Sequence, residues 1–98
     1  MNTITENEFQ ELVKTNATLI LQFSATWCGP CKALTKTIEA SEYKFANPIY
    51  KIDLDDNREL ASILEIRSVP TLIRFENAEE KMRKIGNQTF EQLLELTL

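Results

Sequence analysis

Both cysteines of the chain stand within one short stretch, Trp27-Cys28-Gly29-Pro30-Cys31. Two thiols at this spacing can form a disulfide, hold part of a metal site, or lie inert in an apolar core. A purely structural disulfide explains little, because the loop it closes is short and the stabilisation shrinks with loop size. A metal site needs further ligands, and the sequence contains no histidine to supply them. A redox-active pair is therefore the leading interpretation.

The residues around the pair favour a reactive Cys28. Pro30 suits the first turn of a helix, where its missing N–H is not needed and its fixed φ is already helical. Cys28 then lies at or just before the helix N-terminus, where unpaired amides and the helix dipole stabilise a thiolate and lower the pKa of the thiol. Cys31 shares a face with Cys28 and should point inward. We expect Cys28 to attack a substrate disulfide and Cys31 to resolve the mixed disulfide.

Several neighbouring side chains are candidates for supporting roles. Lys32 is either a solvated helix residue or a charge that adds modestly to the stabilisation of the thiolate. Trp27 is either an ordinary half-buried aromatic or, as we prefer, a lip that shields the disulfide and contacts substrates. Gly29 and Pro30, between the two cysteines, complete the local candidate site.

The composition limits the available chemistry. A chain of 98 residues with 43 % hydrophobic residues and few glycines and prolines predicts one domain over residues 1–98. The net charge of −4, with scattered Lys and Arg, predicts binding to neither nucleic acid nor anionic lipid. No apolar stretch approaches the roughly 20 residues of a membrane span, and no signal-peptide pattern precedes residue 8, so we expect a cytoplasmic protein. Without histidine, the chemistry must use thiols, carboxylates, amines or backbone.

The elements that must position the cysteines alternate along the chain. The apolar run over residues 18–24 predicts a central strand that leads directly into Trp27, and helical spacing from Pro30 predicts a long helix that ends before Asn47. The other predicted helices begin near Glu6, within residues 56–59, where the residues can cap a helix that carries Leu60, Ile63 and Leu64, and at Thr89. The other predicted strands cover residues 49–54, 71–75 and 81–85. This order predicts an α/β fold with a mixed sheet of four to five strands flanked by four helices. Residues 2–4 are all that remains for a fifth strand, at the sheet edge.

With WCGPC between a buried strand and a long helix, the sequence resembles the thioredoxin family through nearly the whole chain. The resemblance is carried by Phe23, Ala25, residues 27–32, residues 66–71, residues 75–77 and residues 85–86. It implies the thioredoxin fold, reduction of protein disulfides, and recycling by a thioredoxin-reductase-like electron donor. It also implies that Pro70 follows a cis peptide bond and packs beside the disulfide, and that Val69 and Gly86 frame a substrate-docking surface. From the residues alone, Pro70 could equally begin a strand and Gly86 could be an ordinary turn.

The sequence departs from the family pattern in the strand that precedes the cysteines. Gln22 stands where thioredoxins usually carry a buried aspartate that is thought to help deprotonate the resolving cysteine, and Lys51 aligns with its usual lysine partner. An amide cannot take up a proton at neutral pH, so we expect Cys31 to be activated through water or Lys51 and to resolve mixed disulfides more slowly or with stronger pH dependence. In addition, Lys36 replaces a proline that usually kinks the long helix, which should therefore run straighter.

Two functions are compatible with these features. The leading prediction is a monomeric thiol-disulfide oxidoreductase that acts on disulfide-containing proteins and needs no cofactor or metal. The family associates the Gly-Pro pair between the cysteines with reduction rather than oxidation. The alternative is a thioredoxin-fold binding subunit whose surface around Trp27, Val69 and Gly86 matters more than redox turnover, and the substitution at Gln22 keeps that alternative open.

Overall fold

The computed structural model describes residues 1–15 and 17–98, which form helices on both faces of a mixed sheet. The elements are α1 (Glu6–Val13), β1 (Thr18–Ser24), α2 (Gly29–Ser41), a 3-10 turn (Glu42–Lys44), β2 (Ile49–Asp53), α3 (Arg58–Ile63), β3 (Thr71–Glu76), β4 (Glu79–Ile85) and α4 (Phe90–Thr97). The strand order is β2-β1-β3-β4. Strands β1 and β2 are parallel, whereas β3 is antiparallel to both of its neighbours. The predicted α/β class and mixed sheet are confirmed.

The expected edge strand at residues 2–4 is reduced to a single bridge. Ile4 N–H donates to the Lys51 carbonyl and Lys51 N–H donates to the Asn2 carbonyl, each at 2.8 Å. The Thr5 side chain then accepts from Glu8 N–H as part of a capping box, and this cap starts α1 at once. The extended segment therefore ends before a second bridge to β2 can form.

Strand β1 is covered on both faces, as its continuous apolar run predicts. On one face Leu19, Leu21 and Phe23 belong to the core cluster that includes α1 and α3. On the other face Ile20 belongs to a second cluster, to which α2 contributes Leu34 and Ile38 and α4 contributes Leu93 and Leu96. Two layers of helices thus fix the strand that ends immediately before the cysteines.

The expected side-chain cap of α3 from its own residues is wrong. Asn57, at the N-cap position, makes no side-chain bond to the helix. Instead Asn57 Oδ1 accepts from Glu6 N–H at 2.9 Å, and the Glu6 carboxylate accepts from Leu60 N–H at 3.0 Å, so α1 caps α3. Ile63 is 67 % exposed. The inward face is centred on Leu60 and Ala61, and at about 100° per residue this turns Ile63 toward solvent.

Helix α2 is continuous over 13 residues, and Lys36 lies on its exposed side. Cys28 is its N-cap residue and Pro30 lies in its first turn, as the sequence predicts. Cys31, Leu34 and Ile38 are its buried residues, at helical spacing. None of the helices in residues 1–15 and 17–98 is both long enough and apolar enough to cross a membrane.

Candidate active site

Cys28 and Cys31 form a disulfide at the start of α2, with their Cα atoms 5.3 Å apart. The backbone of Cys28 is extended, and the N–H of Cys31 donates to Cys28 Sγ at 3.2 Å. The structure is thus the oxidised state of the pair. After reduction, the same amide and the positive end of the helix dipole would stabilise a thiolate on Cys28.

The two cysteines differ in their access to solvent. Cys31 is completely buried, whereas Cys28 retains 5 % exposure, and both pack in a small cluster with Ala25 and Val69. This difference in exposure follows from their positions, because Cys28 is the N-cap at the end of α2, whereas Cys31 lies in the first turn, on the buried face of the helix. Cys28 is therefore the cysteine that an incoming disulfide can reach.

The segment before β3 lies against the disulfide. The Val69 carbonyl oxygen is 3.8 Å from Cys28 Sγ, and the Val69–Pro70 peptide bond is cis, as the resemblance implies. Pro70 is buried, and its carbonyl accepts from Gly86 N–H at 2.9 Å. Gly86 has a φ of +87°, in the region that favours glycine. The residues just before β3 and just after β4 are thus joined by a hydrogen bond beside the disulfide, and the positive φ explains why position 86 is a glycine.

Trp27 is an exposed aromatic beside the disulfide, with 67 % of its surface accessible. Its indole N–H donates to the Asp55 carboxylate at 2.9 Å, and Asp55 also pairs with Arg58 at the start of α3. One edge of the ring is therefore fixed while its face stays open. Asp55 was not predicted from the sequence as a partner of Trp27. The sequence pattern could have indicated this contact, because Trp27 follows β1 and Asp55 follows β2, and the carboxyl ends of parallel neighbouring strands lie at the same edge of a sheet.

Gln22 is completely buried beneath α2. Its Nε2 donates to Thr35 Oγ1 at 3.4 Å, but its Oε1 has no donor among the described residues. Lys51 lies in register with Gln22 on β2, yet in the described part of the chain it makes no ion pair. The nearby Asp53 carboxylate instead accepts from Asp56 N–H at 3.0 Å. The site thus contains a neutral buried amide and a lysine that pairs with no carboxylate in residues 1–15 and 17–98.

The remaining predicted residues flank the pair. Lys32 is exposed, and its backbone N–H donates to the Cys28 carbonyl at 3.3 Å. Gly29 and Pro30 are exposed between the cysteines. Within the described ranges, no group of three or more His, Cys, Asp or Glu residues is arranged to hold a metal ion.

Comparisons with known proteins agree with this arrangement. The sequence profile of the family described as Thioredoxin matches residues 1–97. The chain is 37 % identical over 97 residues to a thioredoxin of Rickettsia felis, with 96 % of this chain and 92 % of the relative covered. It is 37 % identical over 95 residues to a thioredoxin of Staphylococcus haemolyticus, with 95 % and 90 % covered.

Solved structures show the same likeness. A mutant thioredoxin from Halobacterium salinarum matches with a TM-score of 0.88 and 31 % identity, over 98 % of this chain and 86 % of that one. Chloroplastic thioredoxin z matches with a TM-score of 0.85 and 28 % identity, over 99 % and 90 %. The chain belongs to the thioredoxin family, and with the Cys28–Cys31 pair at the start of α2 it is a thiol-disulfide oxidoreductase.

Proposed function

We propose that the chain reduces disulfides of other proteins, with Cys28 as the nucleophile and Cys31 as the resolving thiol. The observation that carries this assignment is the difference between the two positions. Cys28 is the N-cap of α2, keeps some exposure and accepts the N–H of Cys31, whereas Cys31 is completely buried. A helix N-terminus favours the thiolate, which is the attacking form of cysteine.

The reaction proceeds by two thiol–disulfide exchanges. The Cys28 thiolate attacks one sulfur of the substrate disulfide, forming a mixed disulfide and releasing the other substrate sulfur as a thiolate that takes up a proton. The Cys31 thiolate then attacks Cys28 Sγ, which forms the Cys28–Cys31 disulfide and releases the second substrate thiol. The substrate gains two electrons and two protons. A dithiol donor of the thioredoxin-reductase type returns them to the chain.

Four residues near Cys28 form the proposed substrate surface. Trp27 offers an open aromatic face, and the Val69 carbonyl lies beside the reacting sulfur. Pro70 and Gly86 are joined by a backbone hydrogen bond, and Gly86 has no side chain to block an approaching backbone. Lys32, directly after Cys31, adds a positive charge near the developing thiolate.

The second exchange requires Cys31 to lose its proton. Gln22 cannot accept a proton, so the proton leaves to water, and the positive charge of Lys51 favours the Cys31 thiolate that remains. We therefore expect slow resolution with a marked pH dependence. Gln22→Asp should shorten the lifetime of the mixed disulfide, measured by acid quench after mixing reduced protein with substrate. Equal lifetimes for both proteins from about pH 6 to 9, a range that spans ordinary thiol titration, would refute this role.

We further assign the chain to cytoplasmic redox homeostasis and electron transport, as a monomeric domain over residues 1–98 that uses neither nucleic acid nor membrane as a partner. The net charge of −4 and the dispersed lysines and arginines support a protein partner over a nucleic acid. The binding-subunit alternative is not favoured, because the chain carries a complete redox pair in its oxidised form.

Insulin reduction with dithiothreitol as the electron donor tests the catalytic assignments. Wild type should accelerate reduction, and Cys28→Ser should match the reaction without protein. In a separate incubation without dithiothreitol, pre-reduced Cys31→Ser should accumulate substrates as mixed disulfides on Cys28, and later addition of dithiothreitol should release them. Reduction of insulin by Cys28→Ser, or a mixed disulfide between a substrate and Cys31 in Cys28→Ser, would refute the assignment of the nucleophile.

A further inference from the structure

A cleft of about 500 Å³ opens beside the disulfide, between α2 and the ends of β1 and β2. Helix α2 contributes Lys32, Thr35 and Lys36, whose spacing places them on one face of the helix. Strand β2 contributes Lys51, and β1 contributes Ser24 from its last position. With Thr26, three lysines and three hydroxyl residues thus line one concave surface, which we call the lysine cleft.

The three lysines make no salt bridge with any residue that the structure describes. In residues 1–15 and 17–98, none of them lies within 4.0 Å of a carboxylate oxygen. Two carboxylates, Glu39 and Asp53, also line the cleft, so the formal charges of its five charged side chains sum to +1. Asp53 accepts from a backbone N–H in its own loop at 3.0 Å, and Glu39 Oε2 lies 3.8 Å from the amino group of Met1. An anion that enters the cleft therefore breaks no existing lysine ion pair.

The lysine cleft is connected to the disulfide through Ala25, which lines the cleft and packs with both cysteines. Because β2 and β3 lie on opposite sides of β1, the cleft and the Val69–Gly86 surface flank the disulfide from opposite directions. Lys32 is the neighbour of Cys31, and Lys36 lies one helical turn farther along, about 6 Å away. An extended peptide advances about 3.3 Å per residue, so the first few residues beside a substrate cysteine span this distance.

We propose that the lysine cleft binds an acidic segment adjacent to the target disulfide of a protein substrate. This inference rests on the proposed function and specifies its substrate class. The protein as a whole carries a net charge of −4, so the positive cleft is a local exception that distinguishes acidic from basic flanking sequences. Disulfides flanked by Asp or Glu are reduced faster than disulfides flanked by Lys or Arg.

The test compares synthetic peptides of equal length with one internal disulfide flanked by Glu, by Ser or by Lys. Pre-reduced protein is mixed with each peptide, and the released peptide thiols are quantified after acid quench. At about 0.01 M salt, where the Debye length is roughly 30 Å, we expect the Glu peptide to react about tenfold faster than the Lys peptide. At about 1 M salt the ratio should fall close to one. A ratio of one or less at low salt would overturn the inference.

Lys36→Glu tests whether the faster reduction of the Glu peptide arises in the lysine cleft, because Lys36 is exposed and lies outside the proposed redox machinery. This variant should lose threefold to tenfold in rate with the Glu peptide, and Lys36→Gln should lose less. Lys44→Glu is the matched control, since Lys44 is also exposed and makes no ion pair with the described residues, but lies in the 3-10 turn outside the cleft. Equal losses in both charge-reversal variants would refute the role of the cleft.

The two proposals fail differently in this experiment. If reduced wild type releases thiols from none of the three peptides and does not reduce insulin, the proposed function is wrong. If all three peptides react at the same rate at low salt, the proposed function stands and the acidic substrate class is wrong. Circular dichroism of each variant confirms that the compared proteins are folded.

Discussion

The buried amide of Gln22 should lower the stability of the folded protein, and Gln22→Met should recover that free energy. The amide oxygen has no donor among the described residues, and an unsatisfied buried polar group costs about 1–3 kcal/mol. The substitution removes one hydrogen bond, from Gln22 to Thr35, which is 3.4 Å long. A hydrogen bond contributes roughly 0.5–1.5 kcal/mol to the free energy of unfolding, and one this long lies at the weak end of that range. Methionine has a similar shape and adapts to irregular space. We expect the free energy of unfolding to rise by about 1 kcal/mol.

Urea unfolding of the oxidised protein measures this change. Circular dichroism and the fluorescence of Trp27, the only tryptophan, should report the same transition. An increase of about 1 kcal/mol corresponds to a rise in Tm of roughly 4–8 °C for a domain of this size. Gln10→Met, at an exposed position in α1, is the control and should change stability little. A loss of stability in Gln22→Met would show that its oxygen is satisfied, for example by a bound water, and would refute the reasoning.

Three other predictions concern stability and pH. Gln22→Asp should have a lower free energy of unfolding than wild type at pH 7, measured by urea unfolding. The difference should shrink as pH falls, because burial raises the pKa of the carboxyl group in the folded protein above its unfolded value, and the folded state then takes up a proton at a higher pH. Glu6→Ala should lower the free energy of unfolding by about 0.5–2 kcal/mol through loss of the acceptor for Leu60 N–H, whereas Glu6→Gln, which keeps an acceptor, should lose less. The hydrogen bond from Arg83 lowers the pKa of the Glu80 carboxyl in the folded protein. This bond should therefore add a small amount to the free energy of unfolding at pH values above the unfolded-state pKa of Glu80. That amount should be lost as pH falls through the folded-state pKa. NMR titration of Glu80 in wild type and Arg83→Gln checks this, and an unchanged pKa in the variant would contradict it.

Features fixed by neighbouring residues could be predicted from the sequence. The capping boxes at Thr5 and Thr89 are both present, and each depends on a residue three positions away. Pro30 marks the start of α2 for the same reason, since its effect is confined to the first turn. The position of Cys28 at the helix N-terminus followed from these local preferences alone.

Features that depend on distant residues were missed. Asn57 fits the preferences of an N-cap, but its side chain instead bonds to Glu6, 51 residues away. The bond from Trp27 to Asp55 spans 28 residues and depends on how β1 and β2 align. Propensity describes a residue and its near neighbours, so it cannot select among partners that only the folded chain brings together.

The small exposed fraction of Cys28 has a consequence for the flow of electrons. In the oxidised protein only 5 % of this residue is open to solvent, and its sulfur is covered on one side by the Val69 carbonyl. Thiol–disulfide exchange needs a thiolate to approach the disulfide along an open path. A reductant must therefore approach Cys28 from the side that the Val69 carbonyl leaves open. A protein partner that docks on the surrounding surface can hold its thiolate at this opening, so recognition of the surface and electron transfer occur at the same place.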